Sequence, residues 1–199
     1  MESLLPILFA SVAGAGHAFE PDHLLAVSSL VARRDSMRLA LKDGLYWGLG
    51  HTTMLALVGS VILLSRATFL QSGYFEAAVG LMLVGLGLSR LAGREPLGRR
   101  FRAGVGHRVA YTVGLVHGLA GSGALVLLVL TEIRSPLLGV LYLLVFGGGS
   151  ILGMFGVAGL LSIPYTPRMR LSARLRLVTG VVSSVACIAY GGWMVYVNV

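Results

Sequence analysis

Acidic side chains are scarce in this chain: Asp and Glu total 8 among 199 residues, against 16 Lys and Arg. Charged residues make up 12% of the sequence, about half the share of a soluble domain. A water-covered globule is therefore a poor fit. Cysteine is almost missing. Cys187 stands alone, which excludes an intrachain disulfide framework, a Cys-rich zinc site and dithiol redox chemistry. The sequence also has no basic groove interleaved with aromatics, so its formal charge of +8 does not point to nucleic acid. Gly147-Gly148-Gly149 lacks the Lys-Ser/Thr end of a phosphate loop, and no His-Glu-x-x-His run of a zinc protease occurs.

What the chain does have is apolar length. Hydrophobic residues reach 56%, and the 28 glycines are about twice the usual share, as suits helices that approach closely. Six segments, near 3–32, 40–65, 73–92, 109–131, 136–163 and 174–197, are long enough to cross a bilayer, which takes about 20 residues. None alternates as a barrel strand would. The expectation is an all-α polytopic membrane protein, one domain over 1–199, with six transmembrane helices. Met1-Glu2 offers no basic leader region, so the first segment reads as a retained helix.

Basic residues fall into three loops: Arg33, Arg34, Arg38 and Lys42; Arg90, Arg94, Arg99, Arg100, Arg102 and Arg108; Arg168, Arg170, Arg174 and Arg176. Only Arg66 and Arg134 fall in the other two. The positive-inside rule predicts that the three rich loops are cytoplasmic in a plasma (inner) membrane, with both termini outside. Trp193 and Tyr196 then sit at the outer interface.

A weak internal repeat runs through the chain. Gly16-His17-Ala18 answers to Val116-His117-Gly118, and the segment around Trp47 to His51 answers to Phe146 to Ile151. Two halves of three helices, 1–92 and 109–199, joined by a basic cytoplasmic loop at 93–108, must be inverted relative to one another. That 3+3 inverted repeat is a transporter architecture.

The chemistry concentrates in His17-Ala-Phe-Glu-Pro-Asp22-His23. Ionisable groups at membrane depth are costly, and by default they face a cavity with a function. On an ideal helix Asp22 lies about 140° from His17, and His23 about 120° to the other side. The three cannot share a face unless the helix breaks. Pro21 supplies the break, because proline disrupts a helix interior but suits the first position of a new one. Counting from the basic ends at about 1.5 Å per residue puts His51 on the next helix at the depth of His23. Three imidazoles and a carboxylate suit nickel, cobalt, zinc or copper, whereas magnesium and calcium take oxygen ligands. Glu20 reads as a solvated vestibule residue, with a metal ligand or proton acceptor as alternatives. His117 and Ser122 hold the repeat-equivalent positions and are secondary candidates, although Gly118, Gly121 and Gly123 explain that stretch as helix packing. His107 reads as interfacial.

The spacing from His17 to His23 also resembles the His-x4-Asp-His signature of the nickel/cobalt transporter family, and Leu49-Gly50-His51-Thr52 resembles its second histidine motif. Gly114-Leu115-Val116-His117-Gly118 and Gly121-Ser122-Gly123 are similar to the short six-helix urease-accessory relatives of that family. The resemblance implies a transporter and not an enzyme. Its transported ion would be nickel or cobalt, handled by His17, Asp22, His23 and His51, with no permanently bound cofactor. The implied partners are the bilayer and cytoplasmic metal-delivery or urease/hydrogenase maturation proteins. Uptake is the expected direction, and an exporter of the same fold is the alternative. From another class, an intramembrane protease using Ser122 would want a histidine base on the last helix, and 174–197 contains none.

Overall fold

The computed structural model describes residues 5–34, 36–65, 73–92, 103–119, 135–165 and 173–199, and among them every regular element is helical. In chain order these are α1 (Leu5–His17), α2 (Pro21–Val31), α3 (Met37–Ser65), α4 (Gly73–Leu91), α5 (Ala103–His117), α6 (Pro136–Ser162) and α7 (Ala173–Asn198); a 3-10 turn, Ile163–Tyr165, ends α6.

The first apolar segment is divided, as its proline requires. Phe19 N–H donates to Gly16 O and Glu20 N–H to His17 O, which closes α1 in a tight turn. Glu20 then adopts extended backbone at φ −62°, ψ 148°, and Pro21 opens α2. Proline lacks only a donor that the first helical turn would leave unused.

Half-helix α2 occupies the centre of the bundle, packed against α3, α4, α5, α6 and α7. Its buried residues, His23, Ala26, Val27, Ser29, Leu30 and Val31, lie on more than one face. Around it, α3 packs on both α5 and α6, α1 packs on α6, and α4 packs on α7. The α4–α7 seam is set by small residues seven apart. A side chain at Gly73, Gly80 or Gly87 would strike Asn198, Gly191 or Ser184 respectively, so the two helices run antiparallel at close range.

Small residues inside and large ones outside characterise the whole bundle. Alanines, glycines, serines and histidines fill much of the interior, while Leu81, Leu88, Leu144, Leu152, Leu160 and Val182 are more than half exposed. A water-soluble protein rarely displays so much contiguous apolar surface. Among the described residues three stretches, Gly73–Leu91, Leu137–Tyr165 and Leu177–Asn198, are long and apolar enough to cross a membrane. Trp193 and Tyr196 are exposed near the end of α7.

One expectation needs adjustment. The segment placed at 109–131 begins earlier, at Ala103, so part of the supposed loop 93–108 is helical. Its continuation beyond Leu119, including Ser122, lies outside the described residues. Gly147-Gly148-Gly149 stays within α6, with Gly147 against Thr52 and Gly149 against Ser11. The run therefore serves close approach. Gly114 does the same for α5: a β-carbon there would meet Trp47 O and lie 2.9 Å from His51 N. Gly114→Ala should cost about 1–3 kcal/mol of stability, as overpacking does, read as a lower thermal midpoint in detergent. Gly148→Ala, with nothing within 4 Å, should leave the midpoint unchanged or slightly raised.

Candidate metal centre

The helix break brings His17 and His23 together, as the broken-helix reading expects. His17 ends α1, His23 lies in the first turn of α2, and their rings meet edge-on with centroids 4.3 Å apart. His51 approaches from α3, its ring 5.2 Å from His17 and 5.5 Å from His23. These three side chains can offer ligand atoms that all lie within 4.8 Å of one another. The depth estimate from the sequence therefore agrees with the structure.

A fourth imidazole joins them. His117, at the end of α5, has its ring 4.7 Å from that of His23, and its Nε2 is 3.8 Å from Asp22 Oδ2. Asp22, His23 and His117 form a second group whose ligand atoms also lie within 4.8 Å. His117 Nδ1 sits 3.2 Å from the Val113 carbonyl. A carbonyl can only accept, so Nδ1 carries the proton and Nε2 presents its lone pair to the cluster. Trp47, one turn before His51, walls the chamber at 5.4 Å from His23 and 5.7 Å from His117. Phe146 closes the His17 side at 6.0 Å.

All four imidazoles are buried, with at most 3% of each residue exposed. Both ring nitrogens of His17, His23 and His51, and Nε2 of His117, have no hydrogen-bond partner among the described residues. Leaving one buried polar group unmade costs about 1–3 kcal/mol. Such a concentration has a natural explanation in a ligand that accepts lone pairs, and a transition-metal ion does so.

The carboxylates sit beside these rings without satisfying them. Glu20 Oε1 lies 2.7 Å from His17 Nδ1 with 39% of its side chain exposed, but outside hydrogen-bond alignment. Asp22 Oδ1 is 3.2 Å from His23 Nδ1 with 15% exposed. Glu20 is thus both partly solvated and in contact with the cluster. Glu20 is placed to orient the His17 ring, as outer partners of ligating histidines do, whereas Asp22 itself offers a ligand atom to the second group.

A second polar cluster, which the sequence reading missed, braces the same helices. Asp43 Oδ1 and Oδ2 accept from Arg34 Nη2 and Nε at 2.8 and 2.5 Å. His107 Nδ1 lies 2.7 Å from Asp43 Oδ1, and its ring stacks on Tyr46 at 5.0 Å. Arg34 and Asp43 are each at most 5% exposed, so His107 is a paired residue and not merely an interfacial one. The guanidinium lies over Gly106, where any β-carbon would collide with it. The cluster ties the exit of α2 to the starts of α3 and α5. Asp43, one of two carboxylates in the basic stretch 33–43, was the signal for it, because a buried Asp needs a cationic partner.

A comparison with known proteins gives one informative relative. The chain is 35% identical, over 94% of its own length and 91% of the other's, to the urease accessory protein UreH of Bacillus sp. (strain TB-90). No protein-family profile matches, and no solved structure matches.

Proposed function

This chain belongs to the family of the urease accessory protein UreH, and from that premise we propose that it carries nickel or cobalt ions across a membrane. The cargo binds through His17, Asp22, His23 and His51. One observation carries the reading: buried imidazole nitrogens without hydrogen-bond partners among the described residues converge from α1, α2, α3 and α5. Softer nitrogen donors favour late first-row ions over magnesium or calcium. The relative's accessory role in urease assembly supports nickel as the principal ion, delivered to cytoplasmic maturation proteins. Its name describes an accessory to an enzyme and not the enzyme, which leaves the Ser122 protease reading without support.

The route we propose is inward. The basic ends of the helices face the cytoplasm, and both termini lie outside. A cation moving in then gains about 2.3 kcal/mol per charge per 100 mV of membrane potential. The two halves, 1–92 and 109–199, act as inverted repeats that rock about the bound ion. Matched packing supports this. Gly14 lies on the backbone of Phe146 and Ser150, and Gly114 on that of Trp47 and His51; Gly50 meets Tyr111, and Gly149 meets Ser11. Positions about one hundred apart thus make corresponding contacts.

Radiolabelled nickel uptake into proteoliposomes tests the function. His51→Ala should lower uptake by roughly tenfold or more, equivalent to about 1.4 kcal/mol of lost binding. Wild-type vesicles that take up no nickel or cobalt above protein-free controls would remove the transporter reading. Uptake by His51→Ala equal to the wild type would remove the ligand assignment.

A further inference from the structure

The four imidazoles and Asp22 do not make one shell. They make two overlapping groups, His17–His23–His51 and Asp22–His23–His117, and His23 is the only member of both. Donors around an ion at about 2.0–2.1 Å lie up to roughly 4 Å apart, so either group closes on one ion after small side-chain movements.

We infer that a single ion is exchanged between these two sites, with His23 holding it while His17 and His51 are traded for Asp22 and His117. The inference rests on the transport reading above and adds a second site to it. Its ground is the placement of His117. The Nδ1 proton is committed to Val113 O, and the buried Nε2 has no hydrogen-bond partner among the described residues although it lies 3.8 Å from Asp22 Oδ2. A histidine that merely packed helices would use that nitrogen.

The exchange also solves a chemical difficulty. An ion that leaves a three-imidazole shell in one step loses every bond together. Replacing two ligands while the third remains keeps it coordinated throughout. The groups differ in charge: three neutral imidazoles leave a divalent ion its full charge, whereas the Asp22 carboxylate cancels one unit. Each group has its own partly exposed carboxylate at the edge, Glu20 against His17 and Asp22 beside His117. Two ions sharing His23 at once would need it as a bridging imidazolate, its N–H proton lost to solvent, and would hold two repelling dications side by side in a buried site.

The test uses the full chain in detergent or nanodiscs with Co2+ as the probe. Visible d–d absorption reports the ligand field, and equilibrium dialysis reports stoichiometry. Wild type should bind one Co2+ per chain. His17→Ala and His117→Gln should each still bind one ion within about a hundredfold of the wild type, with spectra that differ from each other, one mixed oxygen–nitrogen and one all-nitrogen. Both should lose roughly tenfold or more of proteoliposome uptake, since each keeps one site but cannot complete the exchange. Asp22→Asn repeats the test from the more exposed member, should His117→Gln yield no folded protein. Two Co2+ per wild-type chain would overturn the single-ion exchange. So would His117→Gln or Asp22→Asn transporting like the wild type while His51→Ala does not, an outcome that leaves the transport reading standing. If His51→Ala also transports normally, the ligand assignment itself falls.

Discussion

His23→Ala is expected to abolish high-affinity metal binding, with a loss of about a hundredfold or more, and to do so more completely than any other single change. His23 belongs to both ligand groups, so its removal leaves each with two donors. His17 or His117 can be lost while the other group remains whole. The substitution should also separate binding from folding. The ring makes no aligned hydrogen bond among the described residues, so the metal-free protein forfeits packing against His17, His117 and Trp47 and one 3.2 Å contact with Asp22. Metal bound to the native state stabilises it by mass action, about 2.7 kcal/mol at a hundred times the dissociation constant. Wild-type protein with nickel should therefore melt higher than without it, and His23→Ala should show almost no such rise. A wild-type-sized rise in the variant would mean that the cluster does not hold the ion.

Asp43→Leu is expected to cause the largest loss of stability in the metal-free protein. The Asp43 carboxylate receives two hydrogen bonds from a buried guanidinium and contacts a half-buried imidazole. Breaking a buried ion pair from one side costs about 3–5 kcal/mol, because the remaining charge keeps its desolvation penalty. Arg34 has further interactions, which argues for the lower part of that range. Replacing both residues, Arg34→Met with Asp43→Leu, should recover much of the loss, since a well-packed apolar pair often substitutes for a buried ionic one. The thermal midpoints of single and double variants in detergent measure this directly. Asp43 lies eight residues before His51 on α3, about 12 Å along the helix. Loosening this brace should also weaken nickel binding, because it joins the helices that carry His23, His51 and His117. A double variant that melts no higher than the single would show that the cluster does not act as an ion pair.

The features legible in the sequence were those governed by helix geometry alone. Pro21 was the expected break in the first apolar segment, and such a break could turn His17 towards His23. Rise per residue was enough to bring His51 to the same level. The place of His117 beside His23 was less legible, because it depends on how closely two helices approach. Gly114 and Gly118, four residues apart and flanking it, carry that information: both rest on the α3 backbone around His51. Glycines were read as packing, and packing is what delivers the histidine to the cluster. The Arg34–Asp43–His107 brace was invisible for a related reason. Its members lie in three helical regions, and charge counting assigns basic residues to loops without asking which are buried.

The central claim is that an imidazole-rich chamber between α1, α2, α3 and α5 binds the transported ion. Nickel K-edge X-ray absorption on the purified, metal-loaded protein tests it most directly, because imidazole rings leave a multiple-scattering signature that water and carboxylates do not. The account predicts one nickel per chain with at least two imidazoles in its first shell, and a weakened imidazole signal in His23→Ala. A hydrated, all-oxygen shell, unchanged by that substitution, would contradict it.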